Sequence, residues 1–264
     1  PPMLWGLTDY EPWLSSESLM FMVDDVDGYM LSRPEGVMLV DYHGKPGVGQ
    51  AYFWPVTVKG NTLKINEFVF EHPGTDNHEF VEIFGMPSTD YSDYSILQLE
   101  GNTSAAFGVI NSVDQVGTTD GNGIWWTGFL TNHYQNDSPS FLLVKGFTGN
   151  VGVDLDTNND GVIDIEPWSE LVDTIAVSHS SSHKTYGSTI LYSEYDGLPY
   201  APGGASRIPD WHDTESITDW VRNDFDLAGI PDFDGTPVFG EAYNPPGTLN
   251  MIVPFTLRLP IIFK

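Results

Sequence analysis

Glu79-Phe80-Val81-Glu82-Ile83-Phe84 is the stretch on which the fold turns. Aromatic and β-branched residues dominate it, and the side chains alternate in character, as they do along a β-strand whose residues point to opposite faces. Val37-Met38-Leu39-Val40 reads the same way. Working outward, short runs of this kind recur between clusters of Gly, Pro, Asn and Asp, the pattern of an all-β chain. The further expected strands are Leu19–Val23, Ala51–Val58, Leu63–Phe70, Ser95–Glu100, Ala105–Ser112, Ile124–Phe129, Ser140–Val144, Asp173–Val177, Ser188–Tyr192 and Trp220–Arg222, with the two quoted runs belonging to Glu79–Phe84 and Gly36–Tyr42. Two packed sheets, each burying one face, are the natural way to satisfy such strands. One short helix is expected around Thr214–Val221 with Asp213 as its cap, although a turn followed by a strand fits the same residues.

The second informative stretch is Asp154-Leu155-Asp156-Thr157-Asn158-Asn159-Asp160-Gly161-Val162-Ile163-Asp164-Ile165-Glu166. Oxygen-bearing side chains recur at alternate positions, and a glycine follows Asp160. Calcium takes six to eight oxygen ligands at about 2.3–2.6 Å, and a chain curling round the ion supplies them from alternate residues, with glycine at the sharp turn. The expected ligands are Asp154, Asp156, Asn158, Asp160, Val162, Asp164 and Glu166. An EF-hand would carry a bidentate Glu where Pro167 stands, so Glu166 or a carboxylate from another loop must take that role. A helix on either side is also missing: Phe141-Leu142-Leu143-Val144 upstream reads as a strand, and Pro167 blocks a helix immediately after.

Composition narrows the function. Thirty-seven acidic residues against ten basic ones give a formal charge of −27. That balance argues against a nucleic-acid backbone and against an anionic membrane surface as partners. Self-repulsion of this charge opposes compaction, and bound cations would relieve it. The sequence has no cysteine, which excludes disulfides, thiolate zinc and a cysteine nucleophile. No apolar run approaches the roughly 20 residues of a membrane helix. High acidity and a calcium loop point to an extracellular or cell-surface location, and the start at Pro1 reads as a mature chain whose export signal is gone.

Three segments are expected: an N-terminal β-rich piece, 1–62; a main domain, 63–250; and a C-terminal apolar strand, 251–264. The main domain resembles a bacterial lamin-tail-type domain. The likeness rests on Ile65-Asn66-Glu67-Phe68-Val69 leading through Gly74-Thr75-Asp76 to Glu79–Ile83, on the acidic loop followed by Pro167-Trp168, and on Gly203-Gly204-Ala205-Ser206-Arg207-Ile208-Pro209 with Asp219-Trp220-Val221-Arg222-Asn223-Asp224-Phe225. The acidic loop itself resembles the helix-free calcium loops of dockerins and thrombospondin type 3 repeats. The resemblance implies an immunoglobulin-like β-sandwich on a secreted or surface protein. It implies no catalytic activity of the module.

No enzymatic constellation stands out. His72 and His78, with Asp76 and Glu79, are weighed as a metal or acid–base cluster and read instead as an exposed hairpin loop. His179 and His183 flank a serine-rich loop. There is no G-x-S-x-G turn and no phosphate-binding glycine loop. Arg207 and Arg222 read as structural ion-pair partners. Trp125 and Trp126 point to opposite faces of a strand, one expected in the core and the other on the outside, where it would stack on a ligand such as a glycan or pack under a neighbouring loop or subunit.

The last segment carries Phe255, Leu257, Leu259, Ile261 and Phe263 on one face of a strand. Burying each is worth about 1.5–3 kcal/mol, so the strand should close its own sheet, complete that of a neighbouring copy, or serve in sorting. The combined expectation is a non-enzymatic, calcium-binding structural protein. It would assemble into a homo-oligomer, filament, surface layer, fibre or sheath. A surface adhesion or carbohydrate-binding module is the alternative, as is an accessory domain of an extracellular nuclease or phosphatase.

Overall fold

In the computed structural model the described residues are the backbone of 19–22, 28–33, 36–41 and 51–54, followed by 63–104, 106–231 and 233–254. The chain divides into two units, Pro1–Asn61 and Thr62–Lys264. In the first unit β1 (Leu19–Met22), β2 (Gly28–Arg33), β3 (Gly36–Asp41) and β4 (Ala51–Trp54) form one antiparallel sheet in the order β1-β2-β3-β4. Three of these strands are among those read from sequence. The fourth, β2, has the sequence Gly-Tyr-Met-Leu-Ser-Arg and follows directly on the acidic Asp24-Asp25-Val26-Asp27, which hides its pattern.

Among its described residues the second unit holds ten strands. They are β5 (Lys64–Val69), β6 (Phe80–Phe84), β7 (Tyr94–Leu99), β8 (Ile110–Gln115), β9 (Ile124–Trp126), β10 (Ser140–Lys145), β11 (Glu170–Ser178), β12 (Thr189–Tyr192), β13 (Gly204–Arg207) and β14 (Trp220–Arg222). They make two five-stranded sheets, a front sheet ordered β14-β13-β5-β6-β9 and a back sheet ordered β12-β11-β10-β7-β8. Only β11 and β12 pair in parallel. The architecture is an all-β sandwich.

Between the sheets, Ile65, Phe68, Val81 and Ile83 of the front meet Ile96, Phe141, Leu143, Ile175 and Val177 of the back. The Phe68 and Phe141 rings lie 5.3 Å apart, the range in which aromatic pairs interact favourably. Arg207 pins the sheets together and is only 1% exposed. Its Nη2 donates to both oxygens of Asp173 on β11 (3.3 and 3.2 Å), its Nη1 to Asp213, and its Nε to the Ile65 carbonyl, while the Trp220 ring stacks at 4.4 Å. The reading of Arg207 as an ion-pair residue thus acquires a definite structural role.

The expectation that each sheet buries one face needs correction, because the outer faces are covered too. On the back sheet, Leu97, Leu99, Ile110, Leu142 and Val144 pack under Leu155 and Tyr186, with Ile163 and Trp168 alongside. On the front sheet, Val69 and Phe80 pack under Leu227 and Ile230, with Trp126 alongside. Strands β5, β6, β7 and β10 are therefore buried along nearly their whole length. Irregular segments have the apolar residues to act as lids, and those residues carry no strand periodicity.

The expected helix is a single 3₁₀ turn, Ile217–Asp219, running straight into β14. Its cap is Ser216, whose hydroxyl accepts from the Thr218 amide; Asp213 is occupied instead by Arg207 and Lys64. The apolar residues Phe255, Leu257, Leu259, Ile261 and Phe263 lie outside the described residues. No described helix is long and apolar enough to cross a membrane.

Candidate functional site

The 154–166 loop lies across the outer face of the back sheet. Leu155, fully buried, and Ile163 anchor it into the apolar cluster there. Between these anchors the polar residues curl. Asp154 Oδ1 accepts from the Asp156 amide (3.0 Å), Asn158 Oδ1 from the Asp160 amide (2.9 Å), and Asp160 Oδ1 from the Val162 amide (2.8 Å). The side-chain oxygens of alternate residues are thus each tied to the backbone two positions on. Asn159 and Gly161 take left-handed conformations, with φ of 59° and 93°. The amides of Asp164 and Ile165 both donate to the Leu155 carbonyl (2.7 and 3.2 Å), closing the curl.

Asp156 sits at the base of this loop with no exposure. Its Oδ1 accepts from the Asp160 amide, and its Oδ2 from the Gly161 amide (2.8 Å) and the Tyr186 hydroxyl (2.8 Å). Burial raises the Tyr186 phenol, and the Asp156, Asp154 and Asp160 carboxylates beside it raise it further, so three negative charges bear on this one hydroxyl. Lys184 Nζ donates to the Asp160 carbonyl (2.9 Å), and Asp164 Oδ2 accepts from Thr157 Oγ1 (2.6 Å). Val162 and Glu166 are exposed. No group of three His, Cys, Asp or Glu suited to a metal ion is found among the described residues. The donors of this loop include an amide and carbonyls besides carboxylates, and all are hard oxygens, which is the chemistry calcium selects.

Trp125 and Trp126 do point to opposite faces of β9. Trp125 packs against the inter-sheet core and Trp126 against the outer cluster of Val69, Phe80, Leu227 and Ile230. Both rings are half-buried, and the 227–230 lid covers the outer face and packs against Trp126. Both rings nonetheless line a hollow of about 290 Å³ with Asp120, Thr118 and Gly247.

The histidines are engaged in local structure. His72 is buried, and its Nε2 accepts from the amides of Asn77 and His78 (3.1 Å each), which uses the lone pair a metal would need. His78 packs on the Phe129 and Phe233 rings. His183 Nδ1 is 2.7 Å from Ser138 Oγ, but Ser138 is fully buried and also accepts from the His179 amide. His133 Nε2 pairs with Asp114 at 3.0 Å, and the Tyr134 hydroxyl donates to the same carboxylate.

The sequence reading passed over a second feature, a polar layer buried beneath the front-sheet lid. Glu67 and Glu82 are cross-strand partners on β5 and β6, and neither has any exposed surface. Glu82 accepts from Asn66 Nδ2 (2.9 Å) and the Gly247 amide (2.7 Å). Glu67 Oε1 accepts from Asn223 Nδ2 (2.7 Å), while its Oε2 has no partner among the described residues. Asp210 accepts from Asn66 Nδ2 and from the Asn250 amide. Burial raises both glutamates, and the neighbouring carboxylates raise them further; Glu82 is pushed up to about 8 and Glu67 well above its ordinary value.

No protein-family model, curated protein or solved structure matches the chain.

Proposed function

We propose that the chain is a secreted, calcium-stabilised structural protein without catalytic activity, built to assemble with copies of itself. The observation that supports the calcium part is the curl at 154–164, in which side-chain oxygens at alternate positions each accept from the amide two residues on and Leu155 and Ile163 hold the loop down. Asp154, Asp156, Asn158, Asp160, Val162, Asp164 and Glu166 would hold the ion. Its charge would offset part of the −27 carried by the chain and fix the lid on the back sheet. The histidines and Ser138, committed to structural hydrogen bonds or buried, support a non-enzymatic reading. Assembly rests on the apolar alternation of Phe255, Leu257, Leu259, Ile261 and Phe263, and the lamin-tail-type likeness on the residues quoted for it.

Calorimetric titration with calcium, paired with thermal melting, tests the first part. Wild type should bind and melt higher; Asp160→Ala should lose most of that gain at small cost to the fold, because among the described residues its exposed carboxylate accepts only from the Val162 amide. Absence of heat and of any melting shift in wild type would overturn the reading. Sedimentation of the full chain and of a chain ending at Pro254, each with and without calcium, tests assembly.

A second reading, a carbohydrate-recognising surface, draws support from the hollow where Trp125 and Trp126 meet Asp120. Glycan-array binding that disappears in Trp126→Ala would favour it.

A further inference from the structure

At one end of the sandwich β5 and β14 finish and β13 begins, and a cleft of about 540 Å³ opens there. That size lies within the range of about 300–1,000 Å³ typical of small-molecule sites. Its walls are Leu198, Pro199, Tyr200, Ala201 and Phe225, so the surface it offers is predominantly apolar. The amides of Phe70 and Glu71 both donate to the Gly203 carbonyl (2.9 and 3.1 Å). A Cβ on Gly203 would lie 2.3 Å from the Glu71 carbonyl oxygen and 2.9 Å from the Phe225 ring, so only glycine permits this close meeting of segments.

Two carboxylates open onto this apolar surface, Glu71 and Glu241, each half-buried. Their charged neighbours are different groups. Glu71 is influenced by His179, Asp137 and Asp76, and Glu241 by Asp224, Arg222, Asp196 and Asp226, and neither carboxylate is among the charges that shift the other. Burial pushes both up, Glu241 to about 7, and no hydrogen bond from the described residues offsets that rise in either case. The nearest partner to Glu71 is His179 Nε2, at 4.0 Å from Oε2. Arg222 is the only Lys or Arg on the described lining, and its charge is spent: Nε and Nη2 hold both oxygens of Asp196 (2.8 and 3.0 Å).

We propose that this cleft binds an aliphatic diamine, a small organic dication whose two ammonium groups meet Glu71 and Glu241 and whose methylene chain lies against the apolar walls. Half-buried carboxylates that receive no hydrogen bond are costly, and an ammonium, with three donors and a positive charge, meets both needs. The methylene chain gains from contact with Leu198, Pro199 and Phe225, and the exposed rings of Tyr200 and Phe225 offer faces to a cation. An anion would face two carboxylates and an arginine already paired. The site is distinct from the calcium loop and does not depend on it.

The test is titration calorimetry on the full chain, saturated with calcium and in physiological salt, using 1,5-diaminopentane, pentylamine and pentanoate. The diamine should bind about tenfold or more tightly than the monoamine, and pentanoate should not bind. Glu71→Gln and Glu241→Gln should each reduce diamine affinity to the monoamine level while melting no lower than wild type, since each removes a carboxylate whose burial favours the proton. Affinity should also fall as pH drops through about 7, where Glu241 takes up a proton. The proposal is overturned if pentanoate binds as well as the diamine or if both Gln variants bind it like wild type. Equal competition by magnesium, which would mark simple surface charge, also overturns it. So does diamine binding that appears only when residues 255–264 are removed, which would make that segment the occupant.

Discussion

Glu67→Gln probes the most unusual electrostatic arrangement in the molecule. Folding places Glu67 beside Glu82 under a lid, and in the unfolded chain both carboxyls return to their ordinary value near 4.5. In the folded chain they titrate higher, Glu82 at about 8 and Glu67 well above 4.5. Between those limits the folded state keeps protons that the unfolded state has released. Stability is then fully present below about pH 4.5 and is lost progressively as pH rises through about 8. Each such proton gives a slope of about 1.4 kcal/mol per pH unit. Taken over the interval from 4.5 to about 8, that amounts to a ceiling of about 5 kcal/mol for Glu82 alone. Glu241, raised to about 7, and Asp224, raised to about 6, act with the same sign. Asp196, Asp213, Asp219 and Asp226 are lowered, and their opposing contributions fall below their ordinary value of 3.8, outside this interval.

Gln at position 67 keeps the volume and the acceptor for Asn223 but never ionises. Urea unfolding should be followed from about pH 5 to about pH 8, with a chelator present to remove calcium linkage and high salt to screen surface repulsion. Wild type should lose stability across that range. Glu67→Gln should track wild type near pH 5, lose less stability per pH unit, with about 1.4 kcal/mol per unit as the ceiling for one retained proton, and be the more stable of the two near pH 8. Parallel profiles, or wild-type stability that rises with pH in chelator, would refute the protonated pair and mean that water reaches Glu67.

Three further outcomes can be checked. Leu155→Ala should destabilise by about 2–5 kcal/mol and also weaken calcium binding, since Leu155 anchors the loop; calorimetry and melting read the two effects separately. Arg207→Met leaves Asp173 buried without its guanidinium and should cost about 3–5 kcal/mol by denaturant unfolding. Tyr186→Phe removes a hydrogen bond to a buried carboxylate and should cost about 1.5–3 kcal/mol without calcium, with a smaller deficit in calcium if the ion takes over part of Asp156's charge.

The strands were legible wherever β-branched and aromatic residues were dense, and most runs read from the sequence match a strand to within a few residues. What escaped notice was of two kinds. Gly204-Ala205-Ser206-Arg207 is a central strand of small and polar residues that carries no apolar alternation; it pairs with β5 and β14 through its backbone, and its one large side chain, Arg207, reads as an ion-pair partner without showing that Asp173 and Asp213 are its partners. The polar layer was invisible for a related reason. A glutamate between apolar neighbours in a strand reads as facing solvent, and nothing local says that residues 208–250, far along the chain, return to cover it. The acidic loop was legible because its ligands are sequential. The cleft was not, because Glu71, Arg222 and Glu241 meet only through the order of the sheet.

Coverage of both outer faces changes what the loops are for. In a two-layer sandwich with solvated outer faces, the 147–168 and 223–254 segments would be connections, and their loss would matter little. Here Leu155 and Leu227 are buried as deeply as the strands they cover, so each lid contributes core. The two lids are held by different chemistry. The back lid is closed by hydrogen bonds around Asp156 and by the proposed ion, and it should tighten with calcium. The front lid rests on a layer of amides and carboxyls whose burial favours protons, and it should tighten as pH falls. A chain that gains stability from calcium through one face and from acidity through the other should unfold first at the back in chelator and first at the front in alkali. Hydrogen exchange at the Leu155 and Asn244 amides, which donate to Gly108 and Ala228 across the two lids, separates these orders. Simultaneous opening of both lids under both conditions would show that they form a single cooperative unit.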